Sequence, residues 1–199
     1  MKQQEICKRL IDSTISVVAK EGLEKATTKA ISLESGINET NIYRFFSDKE
    51  DLLAKAFVTL DCELVSTIMF HMQVMYMEKI DFRTRCRLFF NALWKFLLQN
   101  PDRCVTFIRY YYSPYFTKYS IAEHRLRYQP IINEFALVFN TDADLWMICN
   151  HVLNTMLDFA VNIFNGEASD NDDMEEHVFR VLYASISLYR KDNPAPLPE

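Results

Sequence analysis

The sequence predicts an all-α protein with three short N-terminal helices followed by a longer helical region. Apolar residues recur at helical spacing along most of the chain, whereas alternating strand-like patterns are absent. Only 3 glycines occur among 199 residues, too few for a turn-rich β architecture. Residues that cap helices also separate the periodic segments. Together these observations favour helices from one end of the chain to the other.

The first 46 residues contain the short helices. The first ends at a glycine, the second covers 29–35, and the third covers 39–46. Each has a residue that ends or begins a helix at the expected position. The predicted caps are Gly22, Thr27, Thr28, Gly36 and Asn38.

Longer helices follow, each bounded by a cap former and a helix terminator. They are predicted at 48–77, 81–99, 102–113, 118–139, 142–165 and 173–190. Pro130 lies inside one of them, where a kink or a boundary is possible. The predicted domains are an N-terminal one at 1–47 and a C-terminal one at 48–191. The segment 192–199 is predicted to be an extended or disordered tail, because three prolines fall in it.

Composition argues against several classes of protein. The glycines stand too far apart for a phosphate-binding loop, and the 5 cysteines form no C-x-x-C pair. The 4 histidines are scattered, so we expect no metal site, no cofactor and no enzyme. No secretory signal and no membrane-spanning apolar segment of about 20 residues is present. We therefore expect a soluble cytoplasmic protein that does not contact a membrane.

Charge is distributed unevenly along the chain. Residues 1–55 carry 9 basic and 9 acidic residues, a net charge of 9 − 9 = 0, which leaves −5 for the rest. A neutral N-terminal region permits nucleic-acid binding but lacks the basic excess that would indicate it.

Three residues in the N-terminal region have the spacing of a helix-turn-helix. Ser32, Gly36 and Ile42 supply a small contact residue, a turn glycine and an apolar anchor at offsets 0, +4 and +10. The second helix of such a unit lies in the DNA major groove, with its first residues at the base edges.

The motifs around this unit resemble those of the TetR (tetracycline repressor) family of bacterial transcriptional regulators. The matching segments are T-T-x-x-I, S-G-I-N, I-Y-R-F-F and S-D-K-E-D-L-L, within about residues 5–55. Ser32 departs from the family's usual alanine, and we expect its hydroxyl to bond to the carbonyl four residues earlier. The resemblance implies a DNA-binding domain followed by a C-terminal ligand-binding and dimerisation domain.

Candidate DNA-binding residues follow from these motif positions. The resemblance implies that Tyr43 contacts a phosphate, and it points the same way for Lys49, which is unfavourably placed for the helix dipole. Thr and Asn at the tip of the third helix can read base edges. For Arg44 two alternatives stay open, a phosphate contact or a solvent-exposed side chain. Glu39 at the helix N-terminus either contacts a cytosine or faces solvent. The full set is Thr28, Glu39, Thr40, Asn41, Tyr43, Arg44 and Lys49.

An aromatic run at 107–119 predicts a ligand cavity, because so many aromatics exceed what one core face absorbs. The alternative is a fully packed domain without a pocket. Methionines on the fourth helix would add adaptable lining, and polar residues at 154 and 158 would anchor the ligand. A buried Asp158 would favour a cation. The candidate ligand-binding residues are Met72, Met75, Phe107, Tyr110, Tyr111, Tyr115, Asn154 and Asp158.

The last two helices predict a dimer interface. Helix 142–165 has an apolar arc of roughly 220°, more than one core face requires. The resemblance implies a four-helix interface between two subunits. The candidate interface residues are Leu153, Leu157, Val178, Val181, Leu182 and Ile186.

The sequence thus predicts a homodimeric repressor that leaves a double-stranded DNA operator when a small lipophilic ligand binds. An activator or a ligand-insensitive DNA binder of the same family is one alternative. The alternative from another class is an all-α small-molecule-binding or interaction module without specific DNA binding, which the neutral N-terminal region would suit.

Overall fold

The computed structural model describes residues 3–140 and 142–191. Within those residues the chain forms ten α-helices and one 3-10 turn, and no strand. The first five helices are α1 (Gln3–Glu21), α2 (Thr28–Ser35), α3 (Glu39–Phe45), α4 (Lys49–Met72) and, after the 3-10 turn Gln73–Tyr76, α5 (Phe82–Leu98). The others are α6 (Pro101–Tyr111), α7 (Pro114–Tyr119), α8 (Ile121–Val138), α9 (Leu145–Phe164) and α10 (Asp172–Ser187).

The described helices form two compact units. The first combines the chain up to Leu64 with Asn100–Arg127, and the second combines Val65–Gln99 with the chain from Tyr128 onwards. This division differs from the boundary predicted at residue 47 because α1 packs against α6 as well as against α2. The boundary at 47 stays a prediction about where the DNA-binding function ends. The predicted tail at 192–199 lies outside the described residues.

The first unit fixes α1 to α6 through apolar packing and side-chain hydrogen bonds. The buried Thr106 hydroxyl donates to the Ile15 carbonyl at 2.8 Å. Arg109 Nη1 donates to the Val18 carbonyl at 2.6 Å. These bonds satisfy backbone groups of α1 near its end, so the helix that supports the helix-turn-helix is held in a defined position.

Aromatic side chains fill the core of the first unit. Phe57 on α4 is 1% exposed and stacks on Tyr110, with ring centroids 4.6 Å apart. Phe107 and Phe116 lie within 5.5 Å of the same ring. Rings at these separations add to the stability that burial alone gives.

A buried acidic residue links α4 to α8 in the same unit. Asp61 has no solvent exposure and accepts hydrogen bonds from Arg127 Nε at 2.6 Å and from His124 Nδ1 at 2.9 Å. A carboxylate that is fully buried requires such partners, because desolvating an unpaired charge costs several kcal/mol, by order of magnitude.

The second unit contains α5, α9 and α10 packed against one another. Arg87 on α5 forms an ion pair with Glu176 on α10, and its guanidinium lies 3.7 Å from the centroid of the Phe179 ring. Phe90 and Phe179 also meet, with centroids 5.5 Å apart. The α5–α10 contact is therefore mainly apolar and aromatic.

Two predicted helices differ from the observed ones. The helix predicted at 48–77 ends at Met72 and continues as the 3-10 turn. The helix predicted at 118–139 is two helices, α7 and α8, because Pro114 begins α7 at its first turn and Ser120 ends it. Pro130 does not interrupt α8.

Other expectations concern the chain outside any site. No described helix is long and apolar enough to cross a membrane. The described cysteines are all free, and the described residues contain no cluster of three or more potential metal ligands.

Candidate nucleic-acid interface and internal cavity

The turn between α2 and α3 has the backbone geometry of a helix-turn-helix. Thr27 caps α2 by accepting from Ala30 N at 3.1 Å, and Asn38 caps α3 by accepting from Thr40 N at 2.9 Å. Gly36 ends α2 with φ +64°, which side-chain-bearing residues rarely adopt. A Cβ there would also lie 3.3 Å from Arg9 Nη2. The positive φ is thus the reason for glycine, since the flexible end of the Arg9 side chain can shift by a few tenths of an ångström.

Serine hydroxyls fix this turn from inside. Ser32 Oγ donates to the Ile37 carbonyl at 2.7 Å. The expected bond to the carbonyl four residues earlier is therefore wrong. The hydroxyl instead crosses the turn, where the Ile37 carbonyl accepts it. Ser35, which is fully buried, donates to the Ser32 carbonyl at 3.2 Å and accepts from Ile37 N at 3.2 Å.

The second helix of the unit, α3, is anchored on one side and exposed on the other. Ile42 has no solvent exposure and packs into the core of the first unit. Thr40, Tyr43 and Arg44 lie on the opposite face, and the Tyr43 side chain is 56% exposed. Residues three and four apart share a helix face, so these side chains form one surface. That surface is available to a partner.

Four of the predicted DNA-binding residues form two side-chain hydrogen bonds with one another. The Thr28 hydroxyl on α2 donates to the Glu39 carboxylate on α3. Arg44 Nη1 donates to Asn41 Oδ1 at 3.3 Å on the surface. Arg44 keeps further guanidinium donors and Asn41 keeps its Nδ2 donors, so both can reach DNA while this bond persists. The Thr28–Glu39 pair ties the two helices together.

Lys49 begins α4 next to this surface. Its Nζ donates to the Leu23 carbonyl at 3.4 Å, in the turn that follows α1. An ammonium group has three donors, so this bond leaves donors for a phosphate.

An exposed leucine is the residue that the sequence reasoning missed. Leu33 on α2 is 86% exposed, beside the turn that leads to α3. Ile31 is the buried apolar residue of α2, and Leu33 lies two residues later, about 200° round the helix. Helical periodicity therefore places Leu33 on the face opposite the core, which is the signal that could have identified it.

The second unit encloses an apolar cavity of about 60 Å³. None of the described residues that line it carries a formal charge, which suits a lipophilic molecule. Met72 and Met75 are among its lining residues. The complete lining is Met72, Met75, Cys86, Phe89, Phe90, Phe135, Val138, Phe139, Ile148, Val152, Met156, Phe179, Leu182, Tyr183 and Ile186.

Four predicted aromatic ligand residues lie elsewhere. Phe107, Tyr110, Tyr111 and Tyr115 belong to the first unit and do not line this cavity, so their part in ligand binding stays a prediction. The rings are used in packing: Tyr111 lies 4.5 Å from Phe116 by ring centroids, and the Tyr110 hydroxyl is 3.0 Å from Ser120 Oγ. These aromatic side chains therefore pack in the core of the first unit.

The predicted polar anchors also lie outside the cavity. Asn154 is half-buried and Asp158 is exposed on α9, and neither lines it. Partial desolvation by neighbouring atoms raises the pKa of the Asp158 carboxyl. The preference for a cation was expected only of a buried Asp158, so an exposed carboxylate gives no reason to expect a cationic ligand.

Most predicted interface residues are buried within the protomer. Leu153, Leu157, Val178 and Leu182 are each at most 5% exposed, because α9 packs against both α5 and α10. Ile186 lines the cavity. Leu153, Leu157, Val178 and Leu182 are therefore corrected to core positions, whereas Ile186 is only half-buried and its place in an interface stays a prediction. Val181 alone of the predicted six is exposed, at 56%.

The exposed face of α10 carries a different apolar stripe. Val181, Ala184 and Leu188 lie on it at helical spacing, and Leu188 is 46% exposed. Met147 on α9 is 51% exposed. His151 Nε2 lies 2.9 Å from Ser185 Oγ and joins the two helices at the surface.

A helix-turn-helix whose second helix exposes one face is the arrangement that DNA-binding proteins place in the major groove. Residues 10–56 match the family model described as bacterial regulatory proteins, tetR family. This part of the chain is therefore similar to the DNA-binding domain of that family. No curated protein sequence matches the chain.

Solved structures share the fold along nearly the whole chain. A TetR-family transcription regulator from Marinobacter aquaeolei VT8 is similar at a TM-score of 0.76 and 16% identity, covering 94% of this chain and 98% of that one. A tetR-family regulator from Shewanella sp. PV-4 gives 0.72 and 14%, covering 91% and 97%. FadR from Bacillus subtilis, solved in complex with stearoyl-CoA, gives 0.66 and 18%, covering 90% and 98%.

Proposed function

We propose that the protein is a homodimeric, cytoplasmic repressor whose α3 reads an operator and which a lipophilic ligand releases from DNA. The exposed Thr40–Tyr43–Arg44 face, opposite the buried Ile42, is the observation that carries the DNA-binding part. We propose no enzymatic activity. Activation instead of repression would use the same face and differ only in where the operator lies.

DNA docking follows from the position of each group. Thr40 lies at the start of α3, where side chains reach base edges, and Asn41 beside it keeps its Nδ2 donors for a base while its Oδ1 accepts from Arg44. Tyr43 and Lys49 flank that tip and contact phosphates. Thr28 and Glu39 stay paired and hold α2 against α3.

Binding to operators selected from a random duplex library tests this docking. Lys49→Ala is expected to weaken binding to every selected operator and to lower the slope of log affinity against log salt by about one, because one ion pair with phosphate is lost. Tyr43→Phe is expected to weaken binding without changing the slope, since the hydroxyl is neutral. Thr40→Ala is expected to relax preference at one base pair by roughly 1–3 kcal/mol.

Lys55→Ala is the matched control. It removes the same charge from an exposed position farther along α4. It should leave affinity unchanged. Wild-type affinity for both Tyr43→Phe and Lys49→Ala across several salt concentrations would contradict the docking, and failure to select any duplex would favour the alternative of a helical module that does not bind DNA specifically.

The dimer interface proposed is the exposed stripe of α10 with Met147 of α9. Val181→Glu is expected to give monomers, because two copies would place unpaired carboxylates in an apolar seam. Light scattering at micromolar concentration measures the mass. Leu137→Glu, at an exposed leucine of α8, is the control and should remain dimeric. A monomeric wild type, or a dimeric Val181→Glu, would end the proposal.

The ligand site proposed is the apolar cavity of the second unit. Its volume of about 60 Å³ is smaller than the roughly 150 Å³ cavity that holds benzene in another protein. A ligand must therefore displace lining side chains. Met72, Met75 and Met156 are suited to this because methionine is unbranched and adaptable. The stearoyl-CoA in the Bacillus subtilis FadR structure supports a lipophilic ligand class.

A further inference from the structure

Arginine side chains are concentrated along one edge of the apolar cavity. Arg83, Arg85 and Arg87 alternate on α5, and Arg190 follows α10. The three α5 guanidiniums lie over aromatic rings that line the cavity or adjoin it. The distances from guanidinium carbon to ring centroid are 5.5 Å for Arg83 over Tyr183, 5.7 Å for Arg85 over Phe82 and 3.7 Å for Arg87 over Phe179. No group in the cavity itself explains so many positive charges there.

Arg85 and Arg190 lie over the same ring, that of Phe82, which is not itself in the lining but lies 6.2 Å by ring centroids from the lining residue Tyr183. Their guanidinium carbons lie 5.7 Å and 4.4 Å from the centroid of the Phe82 ring. Burial raises the pKa of the neighbouring Cys86 thiol to about 12, and the charges of Arg85 and Arg190 both oppose that shift. Both charges therefore act on a side chain that lines the cavity.

The cavity edge in question is defined by three lining residues. Arg85 Nη1 donates to the Met75 carbonyl at 2.5 Å. Cys86 follows Arg85 in α5, and the backbone of Phe139 pairs with that of Arg190 in an isolated bridge. We call the part of the cavity lined by Met75, Cys86 and Phe139 its basic edge, because Arg85 and Arg190 adjoin these three residues.

The four arginines differ in what they already bind. Arg87 is paired with Glu176, and Arg83 is exposed. Arg85 Nε is buried and has no hydrogen-bond partner within the described part of the chain. A buried guanidinium donor without an acceptor is costly, so an acceptor from outside the chain would be favoured there.

A carboxylate also acts at this edge but is already engaged. Asp81 acts on Cys86, with the opposite sign to the arginines. Its oxygens accept from Thr84 N at 3.1 Å and from Thr84 Oγ1 at 2.6 Å, which caps α5.

We propose that the ligand of this site is an amphipathic anion, an aliphatic chain with a carboxylate or phosphate head group. The chain occupies the apolar cavity, and the head group binds Arg85 at the basic edge, with Arg190 as a second positive charge. The inference rests on the proposed ligand function of the cavity and adds the charge of its ligand. Guanidinium groups suit both head groups because they bind each through paired hydrogen bonds.

Isothermal titration with four probes of one chain length tests the inference: octanoate, octyl phosphate, octan-1-ol and octylamine. We expect at least one anion to bind about tenfold more tightly than the alcohol, with the amine weakest, a ratio that one charge-assisted hydrogen bond supplies. The two anions tell a carboxylate ligand from a phosphate ligand. Arg85→Gln should abolish the preference for the anion and leave the affinity for octan-1-ol unchanged.

Arg125→Gln is the matched control, since it removes an exposed arginine from the first unit and should retain the preference. If Arg85→Gln fails to fold, Arg190→Gln should still reduce the preference for the anion. Equal affinity for anion and alcohol, or an unchanged preference in Arg85→Gln, overturns the anionic ligand but leaves the cavity as a ligand site. Binding of none of the four probes overturns the inference and the proposed ligand site together, while the DNA and dimer tests stand separately.

Discussion

Phe57→Ala is expected to lower the free energy of unfolding by about 3–5 kcal/mol, the range for truncating a buried phenylalanine. The ring is 1% exposed, stacks on Tyr110 and meets Phe107 and Phe116, so alanine would leave a void among three other rings. Urea unfolding followed by far-UV circular dichroism measures the loss. Dichroism is the required signal because Trp94 and Trp146 both lie in the second unit, away from this core.

Phe70→Ala is the control on the same helix. The Phe70 side chain is 76% exposed, so its removal should change stability by no more than about 0.5 kcal/mol. A loss below about 1 kcal/mol for Phe57→Ala would show that the aromatic core of the first unit can collapse around the void, contrary to the close ring contacts described here.

Asp61→Leu is expected to destabilise the protein by about 3–5 kcal/mol, because removing one partner of a buried ion pair leaves the other charge uncompensated. The Arg127 side chain is only 18% exposed and that of His124 only 4%. Because this cluster joins α4 to α8 in the unit that carries the helix-turn-helix, operator binding should also fall at temperatures near the unfolding midpoint. The same urea titration gives the stability.

Glu63→Gln tests whether burial of the ion pair is the reason for the large loss of stability expected of Asp61→Leu. Glu63 lies on the same helix as Asp61 and forms an ion pair with Arg103 on α6, but both of those side chains are over 30% exposed. The expected loss is at most about 1 kcal/mol. A second variant with Asp61→Leu, His124→Leu and Arg127→Met together should recover much of the loss, since no buried charge remains. Equal losses for Asp61→Leu and Glu63→Gln would contradict this account.

The sequence by itself determined the all-α class and the helix-turn-helix. Their signals are local: Gly36 is required by a positive φ, and Thr27 and Asn38 accept from backbone groups two or three residues away. Ile42 is buried as its spacing predicted. Interactions between residues a few positions apart leave a local pattern in the sequence, so the sequence is sufficient to identify them.

Tertiary structure decided which apolar surface meets which. The aromatics at 107–115 and the methionines at 72 and 75 share a composition that suits a cavity, yet they lie in different units. The wide apolar arc of α9 predicted a second subunit, but α5 and α10 both cover it, which buries Leu153 and Leu157 in the protomer. Apolar contact has no direction, so an amphipathic pattern specifies that a face is buried but not its partner. The position of the arginines at the cavity edge depends on the same packing and was visible only once α5 and α10 were placed together.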